Sequence, residues 1–329
     1  MEWVRKNNAK RGFERKDNMK VAFLYAGQGS QKAGMGKDLY ENNPVFRSVL
    51  DSVDPGFDFK TLMFEGPEET LSRTGYTQPC MAAFAAGITE ILKQEGIIPA
   101  YVAGLSLGEY SALQAAGVYD AKTLVELVAF RGKAMEEAAK GIECKMSAVL
   151  GMESRTLQEI CDKACAETGS YVTVSNFNCT GQYVICGEDA AAACAEALAK
   201  EAGAKRCMPL KVSGPFHTKF MQSAGEALKK KFEEISFGTM QVPVIFNTVA
   251  AELPEGKTIQ ELLVQQVQSS IYMEDTIKLL EAKGVDIIVE IGPGKVLSGF
   301  VKRTATGMQS YTIEDMDSLH SVLAALKEA

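Results

Sequence analysis

Ser106 stands at the centre of Gly104-Leu105-Ser106-Leu107-Gly108, a G-x-S-x-G pentapeptide. That spacing belongs to a strand-to-helix elbow, whose glycines permit a tight turn that lifts the serine hydroxyl clear of its own backbone. The flanks suit it: Ala100–Ala103 reads as a short apolar strand, and Glu109–Ala116 as a helix opening with an acidic residue. A serine attacks only when a base takes its proton, and histidine is the usual base because it titrates near neutrality. The chain has two histidines. His320 falls in a helical pattern near the C-terminus and reads as a surface residue. His217 falls in Val212-Ser213-Gly214-Pro215-Phe216-His217-Thr218, a turn-rich stretch after a strand-like run, where functional residues collect. A Ser106 nucleophile with His217 as its base is expected; the plainer alternative is a structural loop histidine.

Two further segments bear on that chemistry. The apolar run Val21–Tyr25 ends in the loop Ala26-Gly27-Gln28-Gly29-Ser30-Gln31, which reads either as an early backbone N–H donor for an oxyanion or as a plain turn. It is not G-x-G-x-x-G, so a dinucleotide site is not indicated. In the helical pattern Ala121–Lys140, Arg131 shares one stripe with Leu124, Leu127, Val128 and Met135. A guanidinium on an apolar face is costly unless an anion pairs with it. It reads as an arginine that snorkels or pairs with an internal carboxylate, or as a fork for a substrate carboxylate.

These residues need a scaffold. A helix is expected at Gln78–Glu95. Between about Lys145 and Val212 the pattern is strand (Met146–Leu150), helix (Arg155–Glu167), strands at Tyr171–Ser175 and Tyr183–Cys186 joined through Asn176–Gln182, helix (Ala190–Ala202) and strand (Lys205–Leu210). That β-α-β-β-α-β order is ferredoxin-like. The larger body resumes with strand-like Val242–Asn247 and Val285–Glu290, the latter followed by the turn Ile291-Gly292-Pro293-Gly294. The expected class is α/β: an α/β-hydrolase-like large domain (19–144 and 213–315), an inserted ferredoxin-like subdomain (145–212) and a C-terminal helix (316–329).

Composition narrows the classes. The chain has 329 residues, 46% hydrophobic and 23% charged, as in an ordinary globular protein, and its net charge of −7 argues against general nucleic-acid binding. No apolar run is long enough to span a membrane. The basic, polar segment 1–18 lacks a signal-peptide apolar stretch and reads as a disordered leader. Seven of eight cysteines fall between Cys144 and Cys207 with neither disulfide-scaffold nor zinc spacing, so buried thiols in a reducing cytoplasm are expected, with no metal.

Together the chain resembles the malonyl-CoA:acyl carrier protein transacylases. Matching segments run from Val21 almost to Arg303: Gly27-Gln28-Gly29-Ser30-Gln31, Met63-Phe64-Glu65-Gly66-Pro67, Thr77-Gln78-Pro79, Gly104–Ser111, Arg131-Gly132-Lys133-Ala134-Met135, Gly214-Pro215-Phe216-His217 and Glu290–Gly294. The resemblance implies malonyl transfer from malonyl-CoA to the phosphopantetheine thiol of an acyl carrier protein, by a ping-pong route through malonyl-Ser106. It implies His217 as general base and acid, the N–H groups of Gln28 and Leu107 as an oxyanion hole, and Arg131 as the malonyl carboxylate ligand. Gln266 and Asn247 match positions near the histidine, which this family orients with a neutral acceptor. Phe216 matches the malonyl-selective members, its ring crowding an α-methyl branch. Leu105 replaces the histidine of many relatives, with a small effect expected on acyl positioning, and Ala26 replaces a proline, which loosens the Gln28 loop. A monomeric, cytoplasmic enzyme of fatty-acid synthesis without a cofactor is expected, docking its carrier on a basic patch drawn from Lys205, Arg206, Lys211, Lys219, Lys302 and Arg303. The alternatives are a polyketide-synthase malonyl acyltransferase, a serine thioesterase or hydrolase with an acidic triad residue, and a catalytically idle carrier-docking module.

Overall fold

The computed structural model describes residues 19–210 and 214–328. The leader 1–18, together with Lys211, Val212 and Ser213, lies outside the described residues. The architecture is mixed α/β with two sheets.

One sheet, of four strands, is parallel and ordered β2-β1-β8-β9, where β1 is Val21–Tyr25, β2 is Tyr101–Gly104, β8 is Ile287–Ile291 and β9 is Gln309–Ile313. Its inner strands are apolar apart from Glu290, because helices cover both faces of a parallel sheet. Register aligns Tyr25 with Gly104 and with Ile291, so three strands end at one edge. The Gln28 loop, the Ser106 elbow and the Gly292 turn therefore emerge side by side, where open α/β sheets bind ligands. Leu105 N donates to Tyr25 O and Ala26 N to Ile291 O, both at 3.0 Å, tying the loops together.

Val242–Asn247 departs from expectation. It meets β2 only through a bridge between Val102 and Val244. Pro243 has no N–H to extend a ladder, and Phe246 turns away to donate to Ala251 O at 2.8 Å.

The second sheet, of five strands, is ordered β6-β3-β5-β4-β7, with β3 Lys145–Leu150, β4 Val172–Cys179, β5 Gln182–Gly187, β6 Arg206–Pro209 and β7 Ile271–Tyr272. The expected β-α-β-β-α-β element order is present, with helices Ser154–Thr168 and Asp189–Glu201 packed on one face. Two details differ. The connection expected over Asn176–Gln182 is mostly strand, since β4 runs to Cys179 through two bulges and only Thr180-Gly181 turns. The sheet also extends beyond residues 145–212, because β7 pairs in parallel with β4 and Tyr272 stacks on Phe177 at 4.9 Å.

Helix Thr74–Gln94 is buried almost all round and packs against Ala121–Ala139. Their approach requires Gly132, where a Cβ would sit 2.7 Å from Thr74 O. That closeness places Gln78 and Arg131 on facing sides of one buried seam. Among the described residues no helix is long and apolar enough to cross a membrane.

Candidate active site

Ser106 ends the loop after β2 and precedes helix Leu107–Ala115. Its backbone is left-handed, with φ 54° and ψ −101°, a strained conformation held by its surroundings. The flanking glycines permit it: a Cβ on Gly104 would lie 2.1 Å from Gly108 C, and one on Gly108 would lie 2.1 Å from Tyr25 O. Asn247 fastens the elbow from outside. Its Oδ1 accepts from Ser106 N at 2.7 Å, and its Nδ2 donates to Gly104 O at 2.7 Å.

His217 reaches the serine from 111 positions along the chain. Its Nε2 lies 2.8 Å from Ser106 Oγ, and its Nδ1 lies 2.8 Å from the main-chain oxygen of Gln266. A carbonyl only accepts, so Nδ1 carries the proton and Nε2 is left to accept the serine hydroxyl. The ring is buried and, like Ser106, sits on positive-φ backbone (61°). Burial, and secondarily the Arg131 charge, push its pKa down to about 4, so at neutral pH it is an unprotonated base.

Arg131 is fully buried. Nη1 donates to Gln78 Oε1 at 2.9 Å, while Nη2 donates to Gln266 Oε1 at 2.9 Å and to Ser106 Oγ at 3.1 Å. Every acceptor is neutral, the guanidinium lies over the Tyr110 ring at 5.1 Å, and Nε lacks a partner among the described residues. Of the readings open from sequence, an internal carboxylate partner is not what the fold supplies: no ion pair to Arg131 is formed among the described residues. The group is a buried cation beside a serine, with room for an anion.

The Gln266 side chain bridges the two halves, its Nε2 donating to Ser106 O at 2.8 Å. Gln266 thus meets His217 through its backbone and Arg131 through its side chain. Asn247, grouped with the histidine in the sequence reading, makes no hydrogen bond to His217 among the described residues and serves the serine instead. Gln28 hangs from Thr74 Oγ1 by its Nε2 at 3.0 Å. The N–H groups of Gln28 and Leu107 have no acceptor among the described residues, and that of Leu107 opens a helix, where the dipole favours negative charge. Both residues, with Leu105, Phe216 and Met135, line a cleft of about 280 Å³ around Ser106. Asn176, Met146 and Val184 of the five-stranded sheet form its other wall.

Sequence reasoning missed three contributors. Gln78 was quoted only as part of a motif, yet it is Arg131's partner. Glu109, read as a helix-opening acid, is fully buried; its Oε2 accepts from Asn247 N at 2.5 Å and Oε1 is unpartnered among the described residues. Burial pushes its pKa up to about 8. Tyr110 lies under the guanidinium. The available signal was their placement inside apolar helical stretches, where a polar residue has a reason to be. His320 is exposed, as expected. Lys205, Arg206, Lys219, Lys302 and Arg303 are exposed. Arg303 Nη1 is engaged with Gln182 Oε1 at 2.6 Å. The eight cysteines are free thiols, and among the described residues no cluster of ligand-type side chains is placed to hold a metal.

Comparison with known proteins gives these residues a context. Residues 22–322 match the family described as Acyl transferase domain. The chain is 42% identical over 311 residues, 94% of its length and 98% of the other's, to the malonyl CoA-acyl carrier protein transacylase of Bacillus subtilis (strain 168). The crystal structure of MCAT from Streptococcus pneumoniae superposes with a TM-score of 0.87 at 42% identity, covering 93% of this chain and all of that one (100%). A malonyl-transacylase solved in complex with its type II PKS acyl-carrier protein is similar at TM-score 0.88 and 36% identity, covering 93% and 99% of the two chains.

Proposed function

This chain belongs to the malonyl CoA-acyl carrier protein transacylase family, and from that premise we propose how its residues move a malonyl group from malonyl-CoA to the thiol of an acyl carrier protein. Ser106 Oγ attacks the thioester carbonyl carbon while His217 Nε2 takes its proton. The N–H groups of Gln28 and Leu107 hold the oxyanion; losing one such donor typically costs roughly 10²–10³ in rate. The tetrahedral intermediate collapses as His217 returns the proton to the departing CoA sulfur, leaving malonyl-Ser106. The carrier's phosphopantetheine thiol then gives its proton to His217, attacks the ester, and Ser106 leaves with that proton. Arg131 grips the free carboxylate throughout. CoA and the carrier bring the thiols, so the route needs neither metal nor redox cofactor.

The observation that carries this reading is the double engagement of Ser106 Oγ, by His217 Nε2 at 2.8 Å and by Arg131 Nη2 at 3.1 Å. A hydrolase uses the first contact and has no need of the second. The rival thioesterase also calls for a carboxylate behind the histidine, where Gln266 offers a carbonyl. Phe216 crowds an α-methyl branch and favours malonyl over methylmalonyl, a discrimination of about 1–3 kcal/mol.

On the same reading the parallel sheet with its serine elbow is an α/β-hydrolase-like domain (19–144 and 213–315), and 145–212 is a ferredoxin-like subdomain whose element order supports the name. The enzyme works as a cytoplasmic monomer supplying fatty-acid synthesis, and the exposed basic residues Lys205, Arg206, Lys219, Lys302 and Arg303 receive the carrier. Intact-protein mass spectrometry after mixing with malonyl-CoA tests the core of it. A malonyl adduct is expected on the wild type, discharged by holo carrier protein and absent from Ser106→Ala. An adduct cleared by water alone, indifferent to the carrier, would replace the transferase with a thioesterase.

A further inference from the structure

The proposed reaction uses none of the cysteines concentrated between Cys144 and Cys207. The fold gives most of them separate surroundings. Cys165 bonds to the Val172 backbone, Cys194 to Glu167, and Cys207 to Glu196 O. Cys144 and Cys186 are brought together. The antiparallel register sets Met146 opposite Cys186 and Ala148 opposite Val184. Alternate strand residues share a face; continued one residue past the start of β3, that alternation sets Cys144 on the Cys186 side, diagonally across the pair of strands. Each thiol is the largest single influence on the other's ionisation, lowering the pKa of Cys144 and raising that of Cys186. Met146, Val184 and Cys186 form one small apolar cluster, and Met146 and Val184 are also wall residues of the Ser106 cleft.

We propose that Cys144 and Cys186 are an oxidisable dithiol, closed to a disulfide by peroxides, and that closure reshapes the cleft wall beside Ser106. The two thiols are unequal in the way such chemistry requires. Cys144 is half-buried and its pKa is lowered by Cys186, while Cys186 is buried and its pKa is raised. Cys144 also precedes Lys145, the first paired residue of β3, so it can move to disulfide geometry without breaking a ladder bond. The Cys144 thiolate attacks one peroxide oxygen; the O–O bond breaks, hydroxide leaves and is protonated to water, and the sulfur is oxidised to a sulfenic acid. Cys186 sulfur, giving up its proton, then attacks that sulfur; the S–S bond forms as the S–O bond breaks, and a second water leaves. A cellular dithiol reverses the step by exchange.

The test treats the full-length protein with hydrogen peroxide, blocks free thiols with N-ethylmaleimide, and maps digested peptides by mass spectrometry with and without dithiothreitol. A dithiothreitol-sensitive link between the Cys144 and Cys186 peptides is expected, absent from Cys144→Ser and Cys186→Ser. Recovery of both as blocked thiols, Cys144 as sulfinic acid beside a blocked Cys186, or a link between other cysteines would overturn it. Because Cys186→Ser alters a buried position, Cys144→Ser keeps the test decisive if the former fails to fold. The effect on transfer rests on the proposed function. Peroxide should lower kcat/KM for malonyl-CoA by about threefold to 10²-fold, the range a small displacement of a cleft wall produces, reversibly and only when Cys144 is present. A link formed with transfer unchanged refutes the cleft-wall half, whereas malonyl-Ser106 failing to form in reduced protein indicts the functional reading.

Discussion

Truncating Arg131 to alanine should change which acyl group the enzyme accepts more than how well it works. In the free protein the guanidinium donates three hydrogen bonds, all to neutral acceptors: Gln78 at 2.9 Å, Gln266 at 2.9 Å and Ser106 at 3.1 Å. On the proposed reading, a malonyl carboxylate is the anion it lacks. Removing one partner of a buried, hydrogen-bonded charge pair costs about 2–5 kcal/mol. At 1.36 kcal/mol per tenfold, kcat/KM for malonyl-CoA should fall roughly 30- to 5,000-fold. Acetyl-CoA has no carboxylate and escapes that loss. The variant also leaves the Gln78 and Gln266 oxygens unpaired, at about 1–3 kcal/mol each, so its thermal midpoint should drop. The ratio of the two kcat/KM values, measured on one preparation with holo carrier protein as acceptor, is immune to the fraction folded. Its collapse by at least tenfold is expected. Equal losses on malonyl- and acetyl-CoA would refute the carboxylate role and reduce Arg131 to a support for the serine.

Three further outcomes follow from the same geometry. With the His217 pKa at about 4, kcat/KM should stay level from neutral pH down to about 5 and decline only below that; an acid limb near the ordinary histidine value of 6.5 would contradict the burial argument. Stability has two opposed contributions. His217 takes up a proton at 6.5 when unfolded but only at about 4 when folded, so stability is lost as pH falls through that window. Glu109 keeps its proton to about 8 in the fold against 4.5 unfolded, so it removes stability as pH rises. Glu109→Gln should therefore abolish the decline between 6.5 and 8 and steepen the rise below 6.5, which thermal midpoints against pH will read; curves superimposable with the wild type would sink the assignment. Asn247→Ala frees Ser106 N and Gly104 O, and a loosened elbow should lower kcat about 10- to 10²-fold with KM for malonyl-CoA little changed; a change confined to KM would place Asn247 on substrate binding instead.

Short-range pattern made much of this protein legible. The G-x-S-x-G elbow, the strand-like runs at β1, β2 and β8, the β-α-β-β-α-β order and the arginine on an apolar helical stripe are all local: strand and helix periods, and turns that need glycine, are written within about a dozen residues. What local periodicity carries poorly is termination and adoption. Val242–Asn247 has the composition of a strand, but Pro243 and the turn at Phe246 stop its ladder at one bridge. The two-residue β7 becomes sheet only because β4 offers it an edge.

The site itself was decided at long range. From its own residues the sequence determined a serine elbow, a lone plausible histidine and an arginine on an apolar helical stripe, and their family resemblance pointed to acyl transfer. It did not determine that the histidine's partner is the Gln266 carbonyl, since every residue carries a backbone oxygen and none is marked by its side chain. Nor did it determine that Asn247 holds the serine, that Gln78 holds the arginine, or that Glu109 is wholly buried. Those contacts join positions 49 to 141 residues apart. Only the packing of the helices and loops at the strand ends brings such distant positions together, and burial then sets the chemistry: it keeps His217 unprotonated, Glu109 protonated and Arg131 in want of an anion.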